Sequence, residues 1–459
     1  MMGHVFHRQT LTELPVAVRG EGIWIYDADG NKYLDGSGGA AVSVLGHSDM
    51  NVRHAMQSQM DKLAFAHSGF FTTEAMETLA DKLTAKAPGN LDQVYFLSGG
   101  SEAIESALKL ARQYFLEIGQ PERRHFIARR QSFHGNTLGA LSVGGNQFRR
   151  VPYEPLLMDV DHISPCHAWR GQHTSETEID YGNRVADELE ASIIARGPET
   201  VAGFFAEPVV GATLGAATAV PGYFKRIREI CDRYGVLLIL DEVMCGMGRT
   251  GTMFACEQED IQPDMIAIAK GLGAGYQPIG ALLVTDAIYH AIQTGSGAFQ
   301  HSHTYMGHAV ACAAALAVQD TIEDQDLLTA VVDRGRDLDD ALVGRFGNHR
   351  FVGHIRGRGL FRAIEIVANR ETKAPFDPNL KIHAAIKAAA MARGLMCYPM
   401  GGTIDGVHGD HVLLAPPYIV RKEDIEDLTD RLSDAVEAVT SELSPEQAAT
   451  NWQARGAAA

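Results

Sequence analysis

Cysteine is scarce, with six residues in a chain of 459. That is too few for a disulfide framework. Basic charge is short as well. Lys plus Arg number 40 against 57 Asp plus Glu, a formal net charge of −17. This excludes a protein that binds nucleic acid or an anionic membrane mainly through bulk positive charge. No apolar run approaches the roughly 20 residues that span a bilayer. The polar stretch 1–14 has no apolar centre of the kind a secretory signal carries. No repeat of fixed period is visible. What is left is an ordinary soluble composition, 46% hydrophobic and 21% charged. The expectation is a cytoplasmic enzyme of roughly three domains, taking about 150 residues for each. One excess stands out: 47 glycines. Glycine lets backbone approach a ligand closely.

The order of patterns along the chain points to an α/β fold. Residues 23–26 and 32–34 flank the turn Asp27-Ala28-Asp29-Gly30, a hairpin signal. From about residue 75 to 290, helical segments alternate with short apolar strands expected at 93–97, 125–128, 203–206, 236–240, 265–269 and 280–284. Such alternation implies βαβ units and a mostly parallel sheet covered on both faces. Beyond residue 310 the expectation is long helices, a strand at 359–366, a helix at 382–393, a strand at 412–414 and a last helix from 421 to about 443. That makes a second, smaller α+β unit. Residues 162–181 read as an irregular excursion, and 450–459 as a tail.

Three strand ends carry chemistry. Tyr95-Phe96-Leu97-Ser98-Gly99-Gly100-Ser101-Glu102 runs from a strand through a glycine turn into a helix. Ile104, Ala107, Leu108, Ala111 and Phe115 share one face of that helix. Free N–H groups at such a start favour an anion, so Gly100 and Ser101 form either a phosphate cradle or a tight turn with Ser101 as a cap. Leu237-Leu238-Ile239-Leu240-Asp241 reads as a buried strand ending on an acid, at the edge where open α/β sheets bind ligands. Asp241 there faces a cationic ligand group or serves as a cap or salt-bridged acid. Met265-Ile266-Ala267-Ile268-Ala269-Lys270 ends on a lysine. Burial against apolar neighbours depresses a lysine pKa and suits it to forming a Schiff base, although many strand-end lysines simply reach solvent.

Weaker signals are Phe133, an aromatic face for a planar ligand or a core residue, and the group His162, Cys166, His167 and His173, whose spacing matches no familiar zinc site. Gly246-Met247-Gly248-Arg249-Thr250-Gly251 matches G-x-G-x-x-G formally. It lacks the strand immediately before it and the helix after it that a dinucleotide site requires.

An anion turn, an acid and a lysine on one sheet edge match the phosphate, ring nitrogen and aldehyde of pyridoxal 5'-phosphate. With Tyr33-Leu34-Asp35-Gly36, Phe133-His134-Gly135, Glu207-Pro208, Leu240-Asp241-Glu242-Val243, Gly248-Arg249-Thr250-Gly251, Ala269-Lys270-Gly271-Leu272, His303-Thr304-Tyr305 and Arg356-Gly357-Arg358-Gly359, the chain resembles the class III (omega) aminotransferases of pyridoxal-phosphate fold type I, from about residue 15 to 440. The resemblance implies a large domain with a mixed, mostly parallel sheet and a smaller α+β domain. The expected division is 1–60 as an N-terminal segment packing with the small domain, 61–325 as the cofactor domain, 326–445 as the small domain and 446–459 as a tail.

The resemblance also implies roles. Lys270 would hold the cofactor and shuttle the proton. Asp241 would pair with the ring nitrogen. Gly100 and Ser101 would bind the phosphate, Phe133 and Val243 would sandwich the ring with His134 and Gly135 beside them, and Glu207 would orient the network. Thr304 would reach the phosphate of a neighbouring subunit, which implies a homodimer or a tetramer of dimers. The expected partners are a small-molecule amino donor and a keto acid such as pyruvate or 2-oxoglutarate, with no nucleic acid or membrane, and the expected cycle is ping-pong. An aminomutase or decarboxylase on the same fold is the alternative. Trp24, Phe70, Phe71 and Tyr153 are candidates to line the substrate pocket, and Ala40 and Ala41 stand where some members carry a bulky Leu-Trp pair. Phe133 replaces the usual Tyr of its motif. The stretch 398–411 holds no arginine where many members carry a movable one for the substrate carboxylate.

Overall fold

The computed structural model describes residues 4–443, Gln447 and Trp452. The stretch 450–459 read as a tail lies outside the described residues except for Trp452. Strands β1 (Gln93–Leu97), β2 (His125–Arg129), β3 (Val160–Ile163), β4 (Val201–Ala206), β5 (Leu237–Asp241), β6 (Met265–Ile268) and β7 (Gly280–Val284) form a seven-stranded sheet. The spatial order is β1-β7-β6-β5-β4-β2-β3. Strands β3, β2, β4, β5 and β6 pair in parallel. Strand β7 is antiparallel to both β6 and β1. Strand β1 therefore runs in the common direction, and the C-terminal ends of β1, β5 and β6 share one edge. The sheet is mixed and mostly parallel, as in fold type I.

Its two faces follow from strand alternation. Phe204, Leu238, Leu240, Ile266 and Ile268 enter one core, while Phe205, Ile239, Met265 and Ala267 enter the other. Helix α1 (Gly100–Glu117) covers the second face with the same apolar stripe, Ile104 to Phe115, that the spacing predicts. Helices α2 (Glu178–Arg196) and α3 (Tyr223–Tyr234) cover the first. Burial on both sides explains why β4 and β5 read as unbroken apolar runs.

Strands Val352–Arg358, Phe361–Ile366, Asp410–Leu414 and Tyr398–Gly401 make a second, antiparallel sheet. The N-terminal hairpin, Trp24–Asp27 and Lys32–Asp35, gains a parallel partner in Leu395–Met396. Ile23, Leu34, Val44 and Val52 share a core with Leu338, Ile386 and Leu432. Helix Ala309–Asp324 is common to two cores: Ala311, Cys312 and Ala315 pack with the large sheet, and Ala314, Val318 and Ile322 with the C-terminal elements. Among the described residues no helix is long and apolar enough to cross a membrane.

Two expectations change. Residues 162–181 are not all irregular, because His162 and Ile163 end β3, Ala168–Gly171 is a helical turn and α2 starts at Glu178. The strand expected at 359–366 starts at Phe361, since Gly359 turns at φ 53° after the preceding strand Val352–Arg358.

Candidate active site

The glycine turn after β1 is shaped by backbone that comes too close for side chains. A Cβ on Gly280 would lie 2.5 Å from the Gly99 carbonyl oxygen, and one on Gly100 would lie 2.8 and 2.9 Å from the two γ-carbons of Val243. Gly99 takes the N-cap position of α1 and no side chain caps the helix. Ser101 is therefore inside the helix and is not its cap. The uncapped first turn leaves N–H groups free for an anion. The turn after β2 closes onto the same place. Gly135 sits at φ 140°, where a Cβ would lie 2.7 Å from Ser101 Oγ, and Ser101 Oγ accepts from the Asn136 N–H at 3.1 Å.

Asp241 ends β5 and is 4% exposed. Its Oδ2 lies 2.8 Å from Nδ1 of buried His134, and its Oδ1 accepts from the Val243 N–H at 2.9 Å. Glu207, just after β4, accepts from the Phe133 N–H at 3.1 Å and the Gly211 N–H at 3.0 Å. Burial raises the Glu207 pKa, with His134 opposing and Asp241 adding to the rise. Glu242 points away from this group, as alternation requires. It is fully buried and accepts from the Ala255 and Cys256 N–H groups at 2.6 and 2.8 Å. Burial pushes its pKa up to about 7 against those two donors. Glu242 thus holds the start of the short 3-10 helix Ala255–Glu259 that follows the glycine loop 246–251, itself a run of turns.

Lys270 follows β6 at φ 47°, in a tight helical turn. Among the described residues no carboxylate forms a salt bridge with it. Burial pulls its pKa down to about 8, while Asp241 and Glu207 pull the other way. All three strand ends open into one cavity of about 390 Å³. Gly100, Ser101, Phe133, His134, Gly135, Glu207, Asp241, Val243 and Lys270 all line it. A lysine without a counter-ion, an acid held by its own hydrogen bonds and an uncapped helix start fit the aldehyde, ring nitrogen and phosphate of pyridoxal 5'-phosphate.

The other predicted residues lie elsewhere. Trp24 lies on the first strand of the N-terminal hairpin, with Lys32 Nζ 3.6 Å from its ring centroid, and does not line the cavity. Phe70, Phe71 and Tyr153 are 81%, 68% and 51% exposed and do not line the cavity. Ala40 is half-buried at φ 71°, and Ala41 is buried against Met244 and Cys245; neither lines the cavity. The next residue, Val42, does line the cavity, as do Gln277 and Ile279. Nothing in their spacing marks them, although the surrounding glycines 271, 273, 275 and 280 hinted at close packing. Thr304 is exposed on a turn whose His303 Nε2 meets Ser98 Oγ at 3.0 Å.

Comparison with known proteins agrees with this geometry. An uncharacterised aminotransferase of Schizosaccharomyces pombe is 44% identical over 96% of both chains. The crystal structure of an (S)-enantioselective omega-transaminase from Thermomicrobium roseum superposes with a TM-score of 0.88 at 34% identity, over 94% of this chain and 96% of that one. The omega transaminase of Pseudomonas jessenii, solved in complex with PMP, gives 0.88 at 31% identity, over 95% and 97%. The family described as aminotransferase class-III matches residues 6–436, and the chain belongs to it.

Proposed function

We propose that this chain uses pyridoxal 5'-phosphate to move an amino group from an amine or ω-amino acid to a keto acid such as pyruvate or 2-oxoglutarate, in a two-step ping-pong cycle. The observation that carries the reading is the convergence of Lys270, Asp241 and the uncapped turn at Gly100 on one cavity. When bound, the cofactor supplies an electron sink for the carbon that carries the amino group. The protein supplies the rest. Lys270, with its pKa near 8, is poised to hold and release a proton at Nζ near neutral pH. Asp241, oriented by His134 and the Val243 N–H, would hold the positive charge of the cofactor's ring nitrogen. Phe133 and Val243 keep a planar group between them. Glu207 fixes the Phe133 backbone, and hence the aromatic wall. Thr304, on its exposed turn, would serve the cavity of a second copy, so the working unit would be a homodimer or a tetramer of dimers.

The test is a donor panel of β-alanine, taurine, putrescine, ornithine, 4-aminobutyrate and 1-phenylethylamine, each with pyruvate or 2-oxoglutarate. The expected result is amino-acid and carbonyl products in equal amounts, and none with Lys270→Ala. Carbon dioxide release, or turnover without an acceptor, would overturn transamination in favour of decarboxylation or an aminomutase. Unchanged activity of Lys270→Ala would refute the role of the lysine.

A further inference from the structure

The loop in 398–411 has no arginine, yet it rests on a segment that has one. A Cβ on Gly406 would lie 3.1 Å from the Phe148 nitrogen and 3.3 Å from Gln147 Cβ. Gln131 Nε2 donates to the Gly402 and Thr403 carbonyls at 2.6 and 3.0 Å, and Asn146 Nδ2 donates to Gln131 Oε1 at 3.2 Å. The loop is thereby docked against the helical turn Gln147–Arg150.

The two arginines of that turn have different surroundings. Arg150 is taken up by backbone, donating to the carbonyls of Leu141 at 3.0 Å, Gly144 at 2.8 Å and Ser142. Arg149 places its guanidinium 4.6 Å from the ring centroid of Phe133, the aromatic wall of the cavity. Tyr398, on the strand that leads into the docked loop, stands beside it, and so does a like charge, Arg8. Arg149 is partly buried. Among the described residues no carboxylate forms a salt bridge with it, in a chain whose net charge is −17. A cation removed from water without a counter-charge is costly, and its planar fork matches a carboxylate in two-point contact.

We propose that Arg149, assisted by Tyr398, binds the carboxylate of the keto-acid acceptor beside the Phe133 wall of the cavity, in the role left empty by the arginine-free loop. The inference rests on the aminotransferase reading. A free guanidinium beside the aromatic wall would let one pocket take a carboxylate on Arg149 or, when the cation folds back over Phe133, an apolar group.

The experiment compares wild type, Arg149→Gln and Arg149→Lys in three ways. These are kcat/KM for pyruvate, kcat/KM for an uncharged acceptor such as butanal, and affinity of the holoenzyme for the non-reacting dicarboxylate glutarate by calorimetry. Loss of one charge-assisted contact predicts a ten- to hundred-fold fall in the pyruvate-to-butanal preference of Arg149→Gln, roughly the range for such bonds. Glutarate affinity should fall in parallel, with Arg149→Lys in between. Equal losses for pyruvate and butanal, with glutarate affinity kept, would show that Arg149 only supports Phe133 and would overturn the proposal. Failure of the wild type to transaminate any donor would instead overturn the underlying reading; glutarate binding lost in Arg149→Gln would still support the anion site.

Discussion

Gly100→Ala is expected to weaken cofactor binding through a steric conflict that one further substitution relieves. The new Cβ would sit 2.8 and 2.9 Å from the γ-carbons of Val243 and 3.4 Å from its Cβ. Carbon atoms rest at about 3.5–4.0 Å, so two contacts must open by roughly 0.6–1.2 Å. Val243 is β-branched and cannot rotate one methyl away without moving the other. Its backbone N–H is also bonded to Asp241. The strain must therefore pass to the glycine turn, to Asp241, or to both. Overpacking of this size costs about 1–3 kcal/mol. A share of about 1.4 kcal/mol falling on the bound state is a tenfold loss of affinity. Val243→Ala removes both γ-carbons and leaves only the 3.4 Å contact, which is tolerable. The double variant should then recover most of the loss, a coupling of about 1 kcal/mol or more. The assay is spectrophotometric titration of cofactor-free enzyme with pyridoxal 5'-phosphate, with urea unfolding of the same proteins to separate fold from site. Wild-type affinity and stability in Gly100→Ala would refute the close approach. Additive losses in the double variant would refute Val243 as the obstacle.

Lys270 of the cofactor-free enzyme should capture the cofactor aldehyde with a pH midpoint near 8. Asp241→Asn removes a charge that raises this value and should move the midpoint lower; a midpoint near that of a free lysine would contradict the burial argument. Glu242 is the reverse case for stability. Its folded pKa is raised from 4.5 to about 7, so the folded state holds the proton more tightly. The stabilisation is complete below pH 4.5 and lost as pH rises through 7. Glu242→Gln lacks this dependence and also loses one acceptor to the Ala255 and Cys256 donors. It should be less stable than wild type at pH 5, with the gap shrinking by about 2–3 kcal/mol by pH 8. A gap in urea unfolding that stays constant with pH would sink this assignment.

The strands that position the site were legible because they are buried on both faces and so appear as uninterrupted apolar runs, as in β5. The strands that were misread carry charge for local reasons. Strand β3 is an edge strand whose Asp161 meets Arg196 at 2.6 Å, so its sequence resembles a loop. Val352–Arg358 contains Arg356, buried and paired with Glu365 at 2.6 Å, and a single chain segment gives no sign of a partner on the next strand. The same holds within the site. Lys270 and Asp241 end apolar strands and are visible, whereas Val42, Gln277 and Ile279 reach the cavity from loops whose course depends on tertiary packing. Trp24, Phe70, Phe71 and Tyr153 were chosen for being aromatic, and that property says nothing about direction.

The helix Ala309–Asp324 has residues three and four apart in two different cores, Ala311 and Ala315 in one and Ala314 and Val318 in the other. Neither core can melt without stripping one side of this helix. The large sheet and the C-terminal elements are thus mechanically yoked, and the chain should unfold as one cooperative unit. Amide exchange along this helix would then require global opening, slower than at any solvent-facing helix.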